Sequence, residues 1–69
     1  MTLGERLQQL RKQCEMSQRK LSDKSGVSYS LLNAIEIGER MPSREAILSL
    51  ARALQCKDAD ELLVLAGYE

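Results

Sequence analysis

The residue types that most often perform catalysis or bind metals are scarce in this chain. It has no histidine, and Cys14 and Cys56 are its only cysteines. Two thiols cannot supply the four ligands of a structural zinc site, and no serine or cysteine lies in a recognisable nucleophile-and-base pattern. The sequence therefore predicts no enzyme, no metal site and no cofactor. Both cysteines fall in or beside apolar periodic stretches, which favours reduced thiols packed in the core over a disulfide or redox role.

The charged residues suggest a different kind of chemistry, because they are unevenly divided along the chain. Ten Lys and Arg balance ten Asp and Glu overall. Residues 1–44 contain eight basic and five acidic side chains, a net charge of +3, whereas residues 45–69 contain two basic and five acidic ones, a net charge of −3. This asymmetry favours a polyanionic partner for the first part of the chain, although a solvated helix surface gives similar counts by chance.

Length and composition indicate one small globular domain. A chain of 69 residues holds one hydrophobic core, so we expect a single domain over residues 1–69. Hydrophobic residues make up 43% of the chain and aromatic residues 3%, so an aliphatic core is required, which favours helices. The longest apolar run, residues 62–66, is too short to span a membrane, and the N-terminus lacks a secretion signal pattern. We therefore expect a cytoplasmic protein without membrane contact.

Apolar spacing predicts helices at both ends of the chain and no strand. The first helix covers about residues 2–14, the fourth begins after Ser43, and a capping box of Asp58 and Glu61 begins a fifth that reaches Ala66. The inward stripes of the first and fourth helices are Leu3, Leu7, Leu10 and Cys14, and Ile47, Leu50, Ala51 and Leu54. No segment alternates with a period of two residues.

Between these ends lie two short helices that flank a glycine. Ser17 can cap a second helix, which ends at Gly26 after about eight residues, and Ser28 can cap a third, which Gly38 ends. A short helix, a turn containing glycine and another helix make a helix-turn-helix unit, here over about residues 17–37. Taken alone, this pattern is also typical of an ordinary helical hairpin.

The string SQRKLSDKSGVSYSLLNAIEIGERMPS at residues 17–43 closely resembles the phage repressor and Cro-like (XRE-type) helix-turn-helix family. The positions that match the family pattern are Ser17, Gln18, Leu21, Gly26, Val27, Ser28, Ile35, Glu36, Gly38, Pro42 and Ser43. The resemblance implies an all-α, compact five-helix lambda-repressor-like domain that binds double-stranded DNA sequence-specifically. It also implies a transcriptional repressor of bacterial, archaeal or phage origin.

The resemblance further implies a role for individual residues. The third helix would lie in the major groove while the second crosses the phosphate backbone. The implied base contacts are Ser28, Tyr29, Ser30, Asn33 and Ala34, and the implied phosphate contacts are Gln18, Arg19, Arg40 and Arg44. Arg11 and Glu36 match positions that form a buried ion pair.

Several residues depart from the family pattern. The third helix carries no Arg, Lys or Gln, so it cannot recognise guanine with a bidentate side chain. Glu39 would repel phosphate. Leu31 is apolar where the family often has a small polar residue, which indicates either a reader of thymine methyl groups or a surface that meets protein.

The end of the fifth helix suggests self-association. Once its inward stripe faces the core, Val64, Leu65 and Tyr68 remain unexplained. We expect them to form a homodimer interface on a palindromic operator. The alternative is that they pack on a further segment of chain or are simply tolerated as exposed apolar residues. A second function also stays open: a protein-interaction module of the same fold, such as an antitoxin or antirepressor component, with weak DNA affinity. Zero net charge and the polar-poor third helix favour it.

Overall fold

Capping residues and apolar stripes divide the chain into five α-helices in a computed structural model that describes residues 1–57 and 59–69. The helices are α1 (Leu3–Gln13), α2 (Gln18–Ser25), α3 (Tyr29–Glu36), α4 (Arg44–Ala53) and α5 (Ala59–Leu65). Within the described residues there is no strand, and none of the helices is long and apolar enough to cross a membrane. The predicted all-α, five-helix fold is confirmed. The predicted capping box of Asp58 with Glu61 involves a residue outside the described ranges.

The core is one cluster of aliphatic side chains to which all five helices contribute. Its most deeply buried members are Leu7, Leu21, Leu32, Ile35, Ile47, Leu50 and Leu62, together with Pro42. Helices of seven to eleven residues are marginal in isolation, so this burial is what stabilises them. Helix α1 packs on α3 and α2 packs on α4, while α2 also contacts α3. The helix-turn-helix unit is therefore supported from both sides.

Cys14 is exposed, so its predicted place in the core is wrong. The physical reason is that α1 ends at Gln13 and Glu15 adopts a left-handed backbone (φ 56°), which turns the chain away before the apolar stripe is completed. The Cys14 thiol donates to the Leu54 carbonyl oxygen at 3.5 Å. Cys56 is half-buried and packs against the core, and both cysteines are free thiols.

Each of the first four helices begins with a hydroxyl side chain that accepts a backbone N–H hydrogen bond. Such a cap contributes about 1 kcal/mol to helix stability. The caps Ser17, Ser28 and Ser43 were predicted and are confirmed. The capping box that Thr2 forms with Glu5 was not predicted, although the Thr-x-x-Glu spacing is visible in the sequence. In that box, hydrogen bonds from the backbone and side chain of Thr2 lower the pKa of the Glu5 carboxyl.

Helix α1 crosses the C-terminal end of α3 at Gly4. This glycine is buried, and a Cβ added to it would lie 2.5 Å from the Glu36 carbonyl oxygen and 2.6 Å from that of Ile35. These distances are far below van der Waals contact, and the neighbouring atoms belong to backbone that cannot swing aside. Only glycine therefore permits this crossing, which sets how close α1 comes to α3.

Replacing Gly4 by alanine is expected to lower the free energy of unfolding by roughly 1–3 kcal/mol, because the added methyl group overpacks the crossing. Helix propensity alone predicts the opposite sign, since alanine is more favourable than glycine inside a helix by about 1 kcal/mol. Urea denaturation measures the difference. The matched control is Gly38→Ala, where an added Cβ meets nothing within 4 Å and the cost comes from the left-handed backbone alone. A Gly4→Ala protein as stable as the wild type would contradict the close crossing.

Candidate nucleic-acid interface

The turn between α2 and α3 is built from short-range hydrogen bonds. Gly26 adopts a left-handed backbone (φ 78°) and its N–H donates to the Ser22 carbonyl oxygen. The Ser22 hydroxyl donates to the Val27 carbonyl oxygen at 2.6 Å, and the Val27 N–H donates to the Ser25 hydroxyl oxygen at 3.2 Å. The Val27 side chain is buried in the core. The turn is thereby held at both its backbone and its apolar side chain, which fixes α3 relative to α2.

The carboxylate of Glu36 joins α3 to both α1 and α2. Its side chain is fully buried, and that of Arg11 is 12% exposed. Arg11 donates from Nε to Oε2 at 2.9 Å and from Nη2 to Oε1 at 3.2 Å, a two-point arrangement. The remaining Arg11 nitrogen, Nη1, donates to the Met16 carbonyl oxygen at 2.8 Å. The pair implied by the resemblance thus has close geometry, and it anchors the C-terminal end of α3.

Gln18 also donates to Glu36, from Nε2 to Oε1 at 3.1 Å. The same nitrogen lies 3.3 Å from Oδ1 of Asn33 on α3. Gln18, which the resemblance implies as a phosphate contact, therefore has its amide nitrogen engaged within the protein. Gln18 is half-buried and links the first turn of α2 to the outward side of α3.

The outward side of α3 presents four of the five predicted base contacts to solvent. Ser28, Tyr29, Ser30 and Asn33 are exposed, and Ala34 is half-buried. Ser28 also serves as the N-cap, accepting from the Leu31 N–H at 3.2 Å. The opposite side of α3, formed by Leu32, Ile35 and Glu36, is buried. Helix α3 therefore has a buried anchoring side and an exposed side that share no residue.

Leu31 packs partly against the core, which neither interpretation of the sequence anticipated. Both interpretations treated it as an outward residue of α3. It is half-buried because α3 packs against both α1 and α2, and two neighbouring helices cover more of its surface than a single apolar stripe. Its apolar character is therefore explained by packing within the domain.

The predicted phosphate contacts lie at three places. Arg19 is exposed on the first turn of α2, with its guanidinium carbon 5.3 Å from the centre of the Tyr29 ring. Arg40 is exposed in the loop after α3, where its backbone N–H donates to the Ala34 carbonyl oxygen at 3.3 Å. Arg44 opens α4, and its Nη2 lies 3.3 Å from Oε1 of Glu69. Arg19 and Arg40 thus flank α3, whereas Arg44 is held by an exposed ion pair.

The three residues predicted to form a dimer interface differ in exposure. Val64 is 55% and Tyr68 is 42% exposed, whereas Leu65 is half-buried and packs against the core. The Tyr68 hydroxyl donates to the Pro42 carbonyl oxygen at 2.8 Å. Leu65 and Tyr68 therefore make contacts within the domain, whereas the prediction of a dimer interface assumed that neither residue packs against the core.

Leu65 also lines an open groove of about 630 Å³ between α1 and the loop that follows α3. Ile37 and Met41, each 58% exposed, line the same groove. We refer to Ile37, Met41, Val64, Leu65 and Tyr68 together as the α5 face. In the part of the chain that the structure describes, no group of three or more His, Cys, Asp or Glu residues is placed to hold a metal ion.

Comparison with known proteins agrees with this architecture. The profile of a family described as a helix-turn-helix domain matches residues 2–65. The chain is 36% identical over 64 residues to an uncharacterised HTH-type transcriptional regulator of Mycobacterium tuberculosis, in strain CDC 1551 / Oshkosh and in strain ATCC 25618 / H37Rv. This alignment covers 93% of the chain but 45% of each relative, so the chain spans less than half the length of these relatives. No solved structure matches it at a comparable level of significance. The chain belongs to the helix-turn-helix domain family, in the phage repressor and Cro-like group that its sequence motif resembles.

Proposed function

We propose that residues 1–69 form a single DNA-binding domain that binds double-stranded DNA sequence-specifically and represses transcription. The observation that carries this proposal is the division of α3 into a buried anchoring side and an exposed side of hydrogen-bonding residues. A helix held in this way can enter the major groove without rearrangement of the core. The relatives named as transcriptional regulators support the same function.

In this proposal, α3 lies in the major groove with its N-terminal end at the base edges. Tyr29, Ser30 and Asn33 read bases, with Ser28 and Ala34 at the margins of that surface. Arg40 contacts phosphate beside α3, and Arg44 does so after releasing Glu69. Gln18 contacts phosphate through its Nε2 amide after that group leaves Asn33 or Glu36, while backbone N–H groups at the start of α2 attract the anion.

The domain acts in this proposal as a symmetric homodimer on a palindromic operator. The α5 face supports it, because exposed Ile37 and Met41 line one groove with Leu65 and the neighbouring Val64 is exposed on α5, and exposed apolar residues of this kind commonly mark interfaces. Two copies related by a twofold axis would place their α3 helices in major grooves about 34 Å apart. The partly buried Leu65 and Tyr68 would contribute their remaining exposed surface.

Binding to random duplex DNA at increasing salt tests the proposal. A protein that neutralises phosphates releases condensed counterions, and added salt lowers the entropy gained by that release, so its binding weakens steeply. We expect log affinity to fall linearly with log salt. Arg40→Ala is expected to weaken binding to all sequences and to reduce the salt slope by about one unit. Tyr29→Ala and Ser30→Ala are expected to change the preferred sequence instead.

The phosphate-contact variant and the base-contact variants serve as controls for each other. Each is assayed both on a selected operator and on random DNA. Arg52→Ala is a further control, because Arg52 is exposed on α4 outside the proposed interface. Equal losses on both DNAs for Arg40, Tyr29 and Ser30 variants would contradict the assigned roles. Absence of salt-dependent binding by the wild type would instead favour the second candidate, a protein-interaction module that docks through the apolar α5 face.

A further inference from the structure

The exposed side of α3 lacks the side chains that best recognise guanine. Tyr29, Ser30 and Asn33 can each donate or accept single hydrogen bonds, but none offers the two parallel N–H donors that match O6 and N7 of guanine. A bidentate contact to a guanine in the operator would therefore need donors from another element.

Arg19 supplies such a donor at the right place in the fold. It is the second residue of α2, and its guanidinium carbon lies 5.3 Å from the centre of the Tyr29 ring, within the range of a cation–π contact. Tyr29 is the first residue of α3, the end of the helix that the proposed docking brings to the base edges. In the proposed docking, the Arg19 guanidinium would therefore lie in the groove beside the Tyr29 ring, close to the base edges.

The stacked guanidinium is also free to bind. Arg6, Arg11 and Arg44 are each held by a carboxylate, whereas the Arg19 guanidinium makes no hydrogen bond or ion pair with any residue that the structure describes. A guanidinium carried on a ring face keeps its N–H donors for other acceptors. The ring also restricts the side chain before binding, which lowers the entropic cost of recognition.

We infer that Arg19, held on the Tyr29 ring, reads a guanine in the major groove and determines specificity at one G·C pair in each half-site. This inference rests on the proposed function. It reassigns Arg19 from the phosphate contacts to the base contacts. The chemistry separates the two roles, because lysine replaces arginine well at a phosphate but poorly at a bidentate guanine site.

The experiment compares wild type, Arg19→Lys and Arg19→Ala on an operator selected from random DNA and on its single-base variants. Replacing the G·C pair of one half-site is expected to weaken the wild type by roughly 5- to 150-fold. Arg19→Lys is expected to lose this discrimination while retaining its affinity for random DNA. Tyr29→Phe, which keeps the ring, is expected to preserve the discrimination at this G·C pair. Arg52→Lys is the matched control, because Arg52 is exposed on α4 outside the proposed interface and its replacement should leave base preference unchanged.

A modified base tests whether Arg19 contacts the N7 atom of this guanine. Replacing the implicated guanine by 7-deazaguanine removes the N7 acceptor, so it should weaken the wild type and leave Arg19→Ala unaffected. If Arg19→Lys keeps the G·C preference, or if the deaza base weakens both proteins equally, the inference is overturned while DNA binding stands. If the wild type binds no duplex, both the inference and the proposed function fail.

Discussion

Replacing Arg11 by methionine is expected to lower the free energy of unfolding by roughly 3–5 kcal/mol, because it leaves a buried carboxylate without its cation. The Glu36 side chain is fully buried, and Arg11 makes two of its hydrogen bonds. The amide of Gln18 remains as a donor but brings no charge. Since a domain of this size has a total stability of only about 3–10 kcal/mol, the variant is expected to be largely or wholly unfolded at 25 °C.

Urea denaturation followed by circular dichroism measures this loss, and two further proteins identify its cause. The double variant Arg11→Met/Glu36→Met is expected to recover most of the stability, because a well-packed apolar pair often replaces a buried ion pair at no cost. Arg44→Met removes the same residue type from an exposed pair with Glu69 and is expected to change stability by about 0–1 kcal/mol. If Arg11→Met equals wild type in stability, the buried pair does not anchor α3.

Replacing Val64 by glutamate is expected to abolish dimer formation while leaving the monomer folded. Val64 is 55% exposed and outside the buried core, so the charge would lie in solvent in the monomer and against the second copy in the proposed dimer. Because two linked half-sites bind far better than one, affinity for a palindromic operator should fall by roughly 100-fold or more. Leu65 is a poorer choice, since a glutamate there would also disturb the core against which Leu65 packs.

Sedimentation equilibrium and operator titration measure the two effects of Val64→Glu together. Affinity for a DNA fragment with a single half-site should stay unchanged, which separates loss of the dimer from loss of the fold. Leu48→Glu places the same charge at an exposed apolar residue of α4 outside the α5 face and should have neither effect. A wild type that sediments as a monomer at high concentration, with operator affinity unaltered by Val64→Glu, would rule out the dimer.

The helices could be predicted closely because their signals are local. A cap such as Ser17 or Ser28 acts on a backbone N–H three residues away, and a left-handed turn at Gly26 depends on that residue's own sterics. The apolar stripes also predict which side of each helix faces the core. These are properties of adjacent residues, so the chain displays them without any knowledge of the tertiary structure.

The details of the candidate site depend on contacts between helices and could not be predicted in this way. The closeness of Gly4 to α3 depends on which helices cross and at what angle, although a glycine inside a helix was a visible signal. The engagement of Gln18 by Glu36 and Asn33 requires two helices to meet at one amide. The stacking of Arg19 on Tyr29 likewise joins residues ten positions apart, across the turn.

The separation of α3 into two sides has a consequence for how such domains diversify. Leu32, Ile35 and Glu36 hold the helix, whereas Tyr29 and Ser30 are exposed and can be exchanged with little disturbance of the interior. Surface substitutions away from buried networks usually change stability by less than about 0.5 kcal/mol. A gene duplicate could therefore acquire a new target through a few codon changes while its scaffold remains intact. The same independence makes the helix a suitable cassette for libraries in which outward positions are randomised and the anchoring residues are left untouched.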